Sequence, residues 1–294
     1  MSAEVSAFPG LRAVSDVSPA QWLVERLWPG RTLQVGSVVP DVYPAYGRLL
    51  HPARSARPDG PGEIRWSAIA AGHGTSIDSG VRFRDLVGWR DGPDPPFPYS
   101  APLRGSLTEE QNIALAEVLA GFTSRPGKVW YCLWDGYGWP ELPACGQGPP
   151  RVHLEHEDCL LFAGPVTASA NLQAGWAQSP TLGWPDDRTW CVSTPVEGFS
   201  AYIGDTEACL NALFSEPRLE ILPVRPNRPK PLSSIARLLY RQTRGDPYRR
   251  HLPRASARGG VFSPVPAGQL HQCGPVELAG LCRRHPARGD SHQR

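Results

Sequence analysis

The sequence predicts an α+β fold, a mixed or mostly antiparallel sheet with helices packed on it. Three stretches carry that expectation. TEEQNIALAEVLAGF, 108–122, reads as a capped helix. KVWYCLWD, 128–135, reads as a strand buried on both faces. TWCVSTP and FSAYIG, 189–195 and 199–204, read as two strands joined by Glu-Gly, with a second helix in DTEACLNALF, 205–214. Helices interspersed with hairpins point to helices packed on a sheet.

The elements follow in chain order. SPAQWLVERLW, 18–28, is expected to be helical, with Ser18 as its cap and Pro19 in its first turn. Val17, Trp22, Leu23 and Leu27 approximate its apolar stripe. TLQVGSVVP, 32–40, is rich in β-branched residues, ends in Pro and is expected to be a strand. In YPAYGRLLHP, 43–52, Tyr46, Arg48 and Leu50 alternate with Ala45, Gly47 and Leu49, as in a second strand. IRWSAIA, 64–70, fits a short helix, whereas 72–102 has little pattern and contains the loop GPDPPFPYSAP. Thr108 and Gln111 form a capping box, Glu109 and Glu110 suit a helix N-terminus, and Ile113, Ala116, Leu119 and Ala120 form the apolar face. RVHLEH and DCLLFAG, 151–156 and 158–164, read as a strand pair or one broken strand, and PVTASANLQ as a helical turn. Asp205 is the expected cap of the helix at 205–214, and LEILPV, 219–224, closes the unit as a strand.

The expected organisation is a flexible N-terminus at 1–14, a single α+β domain at 15–224 and a disordered basic tail at 225–294. Of the 30 basic residues 14 lie from Arg225 onward, against 3 of the 28 acidic ones, so that segment carries +11 and the preceding part −9. The N-terminal residues lack a basic start followed by an apolar run, and no stretch of about 18 apolar residues occurs, so neither export nor a membrane span is expected. The 7 cysteines, an odd number in a chain without an export signal, are read as reduced thiols in a cytoplasmic protein.

Four blocks in fixed order, VGSVVPDVYPAYGRLLHP, VWYCLWDGYGW, LLFAGP and WPDDRTWCVST, resemble a group of actinobacterial proteins with no assigned activity. The resemblance spans Trp22 to Val224. It implies a shared fold and a bacterial cytosolic setting, and it carries over no catalytic residue. It also implies an end near LEILPV, beyond which this chain continues from Arg225 to Arg294.

Two segments stand out as candidate ligand surfaces. WDGYGW places Asp135, Tyr137 and Trp139 in a loop after a strand, where aromatic and polar groups could line a pocket. WPDDR places Asp186, Asp187 and Arg188 before another strand, where they could bind a ligand or simply form a turn anchored by Trp184 and Trp190. A non-enzymatic binding module for a protein or small ligand is the leading expectation, with no cofactor or metal implied. One alternative is a metal-assisted hydrolase using Asp186, Asp187 and the His153–Asp158 segment, provided these meet in space. The other is nucleic-acid contact through the basic residues of 225–294. That tail could instead dock on the acidic body or have no selected role, and its His271, Cys273, Cys282 and His285 match no common zinc spacing. No GxSxG, GxGxxG or GxxxxGK[ST] motif occurs, and Cys132 and Cys191 sit in apolar strands as small hydrophobes.

Overall fold

The computed structural model describes residues 8–28, 34–60, 62–90, 94–137, 148–155, 157–173 and 178–230. In chain order the elements are β1 (Arg12–Ala13), α1 (Gln21–Arg26), β2 (Ala45–Leu50), β3 (Ala53–Ser55), β4 (Glu63–Ile64), α2 (Trp66–Gly72), α3 (Phe83–Leu86), β5 (Tyr99–Ser100), α4 (Glu109–Ala120), β6 (Val129–Trp134), β7 (Val152–His153), β8 (Asp158–Gly164), β9 (Leu182–Pro185), β10 (Cys191–Ser193), β11 (Ser200–Asp205), α5 (Glu207–Ser215) and β12 (Ile221–Pro223). The larger sheet runs β1-β8-β6-β9-β10-β11-β2-β12, with β7 also against β8, and a small sheet runs β4-β3-β5. All of these pairings are antiparallel. The fold is α+β.

Strand residues alternate between faces, so the apolar run of β6 must be covered on both sides. Val129, Tyr131 and Leu133 face α4, α5 and a 3-10 turn at Val166–Gln173, packing with Leu115, Leu119, Leu172, Leu210 and Leu213. Trp130 and Cys132 face the other way, against Leu23 of α1 and Val35 and Val39 of the N-terminal chain. A third cluster joins Trp66 and Ile69 of α2 and Phe83 of α3 to Leu50 at the end of β2. The capping box of α4 forms as its sequence requires, with Gln111 N–H donating to Thr108 Oγ1 at 3.3 Å.

A segment at 103–107 crosses the sheet end where β2 stops. The Leu103 carbonyl accepts from His51 Nδ1 at 2.8 Å, Gly105 N–H donates to the Gly198 carbonyl at 3.0 Å, and Leu107 N–H donates to Ser179 Oγ at 2.9 Å. Gly105 has φ +58°, and a Cβ there would lie 2.6 Å from the Val196 carbonyl oxygen, so only glycine fits.

Several sequence expectations are corrected. The described part of TLQVGSVVP, 34–40, is not a strand: Val35–Ser37 is a 3-10 turn. Val35, Val38 and Val39 recur at helical spacing, and Val39 N–H bonds to the Val35 carbonyl at 3.0 Å. Ser18 does not cap the first helix; its N–H and Oγ both donate to Asp16. Thr206, not Asp205, caps α5, its Oγ1 accepting from Cys209 N–H at 3.2 Å, while Asp205 is the buried last residue of β11. At the N-terminal boundary Phe8, Leu11 and Val14 are buried and β1 pairs with β8, so 8–14 belong to the body. At the other boundary Gly36 N–H donates to the Pro226 carbonyl and Val35 N–H to the Arg228 carbonyl, so 225–230 are packed too. Residues 1–7 and 231–294, including the rest of the expected tail and its Cys/His set, lie outside the described residues. Among the described residues no helix is long and apolar enough to cross a membrane.

Candidate functional site at the two ends of strand β6

The WPDDR segment lies at the start of β6, where Pro185 pairs with Val129. Arg188 N–H donates to the Pro185 carbonyl at 2.9 Å and closes a turn, and Arg188 itself adopts φ 57°. Trp184 and Trp190 on either side are 1% and 2% exposed, which fixes the turn to the core. Both carboxylates are engaged by the protein, Asp186 through Oδ1 and Asp187 through both oxygens. Asp186 Oδ1 accepts from Lys128 Nζ at 3.0 Å and from Trp130 Nε1 at 3.1 Å. Asp187 accepts from Thr123 Oγ1 at 2.9 Å, from Ser124 N–H and Oγ at 2.8 Å each, and from Thr189 Oγ1 at 3.0 Å. The Lys128 bond holds the Asp186 carboxyl below its usual range. Burial alone would raise Asp187, but the hydrogen bonds from Ser124, Thr123 and Thr189 together outweigh it and lower the carboxyl instead. Arg188 stacks its guanidinium 5.0 Å from the Trp22 ring centroid, and its carbonyl accepts from Tyr43 Oη at 3.3 Å. Asp186, Asp187 and Arg188 therefore tie the turn to α1, β6 and the chain after α4.

The other candidate lies past the end of β6. The chain leaves Trp134 in a 3-10 turn at Asp135–Tyr137. A Cβ on Gly136 would come within 2.3 Å of the Trp134 indole, so the ring lies directly against the turn. Asp135 points inward. Its Oδ2 accepts from Arg151 Nε at 3.0 Å, and the two side chains are only 7% (Arg151) and 4% (Asp135) exposed. Arg151 Nη1 donates to the Pro149 carbonyl. Arg151 Nη2 is buried and has no hydrogen-bond partner among the described residues. Tyr137 ends the turn, and Trp139 lies outside the described residues.

The structure does not bring the two acidic segments together. Trp134 pairs with Cys159, so His153 and Asp158 lie at the Trp134 end of β6, whereas Asp186 and Asp187 lie at the Val129 end. Five residue steps of strand separate these ends by roughly 17 Å, far more than two metal–oxygen bonds can span. His153 Nδ1 instead pairs with Asp158 Oδ1 at 2.7 Å on the exposed surface. Among the described residues no group of three or more His, Cys, Asp or Glu side chains could hold a metal ion. Cys132, Cys159, Cys191 and Cys209 are buried free thiols, and burial pushes Cys191 and Cys209 up, away from the thiolate.

Sequence reading missed three polar groups in the interior. Arg151 looked like the polar start of a strand. The signal that could have found it is Asp135 itself, because an aspartate that ends a doubly buried strand needs a cation. Arg48 is 2% exposed and donates to Ser200 Oγ at 3.0 Å and to the Val81 carbonyl at 2.8 Å. His51 is fully buried, and its Nε2 has no partner among the described residues. Compared with protein-family models, curated proteins and solved structures, the chain matches none.

Proposed function

We propose that this chain is a non-enzymatic binding module that holds a small ligand at the Trp134 end of β6 through the Arg151–Asp135 pair. The supporting observation is the buried Arg151 Nη2, which has hydrogen-bond donors and no partner among the described residues. Native proteins leave few such groups, because an unmatched buried donor costs about 1–3 kcal/mol, and more when charged. A ligand oxygen placed against Nη2 would remove that cost, so the fold is predisposed to bind there. The WPDDR turn, whose carboxylates are both tied to other parts of the chain, serves this reading as scaffold. The reading is non-enzymatic because Asp135 is committed to Arg151 and the described cysteines are buried thiols.

The test is a thermal-unfolding screen of the full chain against small amides, alcohols and carboxylates. A compound that binds only the native state raises the melting temperature. At least one should do so in the wild type and in Asp187→Asn, and lose its effect in Arg151→Lys, because an ammonium does not reproduce the planar fork of donors. Stabilisation that survives Arg151→Lys unchanged, or a panel without any stabilising compound, would count against the proposal.

A further inference from the structure

We infer that the ligand at this site presents a single neutral carbonyl or amide oxygen to Arg151 Nη2, and not a carboxylate or phosphate. The inference rests on the binding reading above and assigns its chemistry. A guanidinium recognises an oxyanion best through two adjacent nitrogens, which donate a parallel pair of hydrogen bonds. Arg151 has Nε engaged by Asp135 and Nη1 engaged by the Pro149 carbonyl. Nη2 shares one edge with each of them. Both two-nitrogen edges are therefore already half occupied, and the nitrogen that remains offers no parallel pair of free donors to one oxyanion.

Charge leads to the same class. Asp135 lies 3.0 Å from Arg151 Nε, and both side chains are almost wholly removed from water. The pair is internally neutral. A second anion would have to be desolvated beside the Asp135 carboxylate with no cation left to offset it. A carbonyl or amide oxygen carries enough partial charge to satisfy Nη2 and brings no net charge into the interior.

The experiment follows the arginine side-chain Nε–H resonances of the full chain, with the Arg151 signal identified by its loss in Arg151→Lys. N-methylacetamide and sodium acetate are titrated separately at matched ionic strength. The expected result is a saturable shift of the Arg151 signal with N-methylacetamide, and less than a tenth of that shift with acetate at the same concentration. Asp135→Asn, which removes the neutralising charge, is expected to reverse the order if the variant folds; the wild-type titrations decide the question without it. An acetate shift as large as that from N-methylacetamide overturns the neutral class while leaving the binding reading standing. No shift from either probe overturns both.

Discussion

Asp135→Ala is expected to lower the stability of the chain by about 3–5 kcal/mol, the range found when one member of a buried ion pair is removed. The loss arises less from the missing attraction than from what stays behind. The Arg151 side chain, only 7% exposed, would keep its full positive charge, and Nε as well as Nη2 would lose or lack an acceptor. Urea denaturation of the full chain at pH 7, with the m-value checked for constancy, measures the change. A loss below about 1 kcal/mol would match an exposed pair and would mean that the guanidinium reaches water in solution.

His51 should give the protein a stability slope in mild acid. Its Nδ1 faces the Leu103 carbonyl, which can only accept, so the neutral ring carries its proton there and leaves Nε2 bare and buried. Burial above all, with Arg48 adding repulsion against the help of the Leu103 carbonyl, lowers its pKa from 6.5 to about 4. In the unfolded chain the ring protonates below about 6.5, whereas in the fold it stays neutral down to about 4. The unfolded state thus binds more protons through that window. The contribution of His51 is complete above the unfolded pKa and is lost as pH falls toward the folded one, in total roughly 3 kcal/mol at 1.36 kcal/mol per pKa unit. His51→Gln keeps a donor that can reach the Leu103 carbonyl and removes the titration. Between pH 7 and 4 the wild type should lose stability relative to His51→Gln as pH falls. Parallel curves would show that the ring is charged, or hydrated, in the native state.

How much of this was legible in the sequence depended on whether the cue was local. The capping box of α4 involves residues three apart and reads directly, as does the unbroken apolar run of β6. The turn at 185–188 was anticipated from Pro-Asp-Asp because aspartate bonds to nearby backbone wherever the chain goes next. Strand β9 was missed because Gly183 and Pro185 interrupt its pattern, yet Pro185 sits at the strand's end, where proline is tolerated. At 35–39 β-branched composition favours a strand, but the spacing of Val35, Val38 and Val39 is helical and decides the local structure. Aspartate is a good cap and points to Asp205, but Thr206 follows it, and the strand runs one residue further than its composition suggests.

The candidate site was half legible. The loop after β6 and Asp135 were visible; Arg151 was not, because its role exists only once β7 is paired with β8 and the chain from 148 onward is brought back beside the end of β6. The reverse happened at Asp186 and Asp187. Their adjacency invited a chemical reading, but Lys128, Trp130, Thr123 and Ser124 arrive from elsewhere in the chain and occupy both carboxylates.

The most direct test of the central claim is the stability of the double variant Asp135→Leu/Arg151→Met by urea denaturation at pH 7. A buried ion pair that the fold does not need can be replaced by apolar side chains of similar volume, often neutrally or with a gain of about 1–4 kcal/mol. The account predicts a double variant at least as stable as the wild type to within about 1 kcal/mol, although Asp135→Ala alone is strongly destabilised. A double variant that loses about 3 kcal/mol or more, as the single one does, would make the pair a structural element of the turn and contradict the assignment of Arg151 to a ligand.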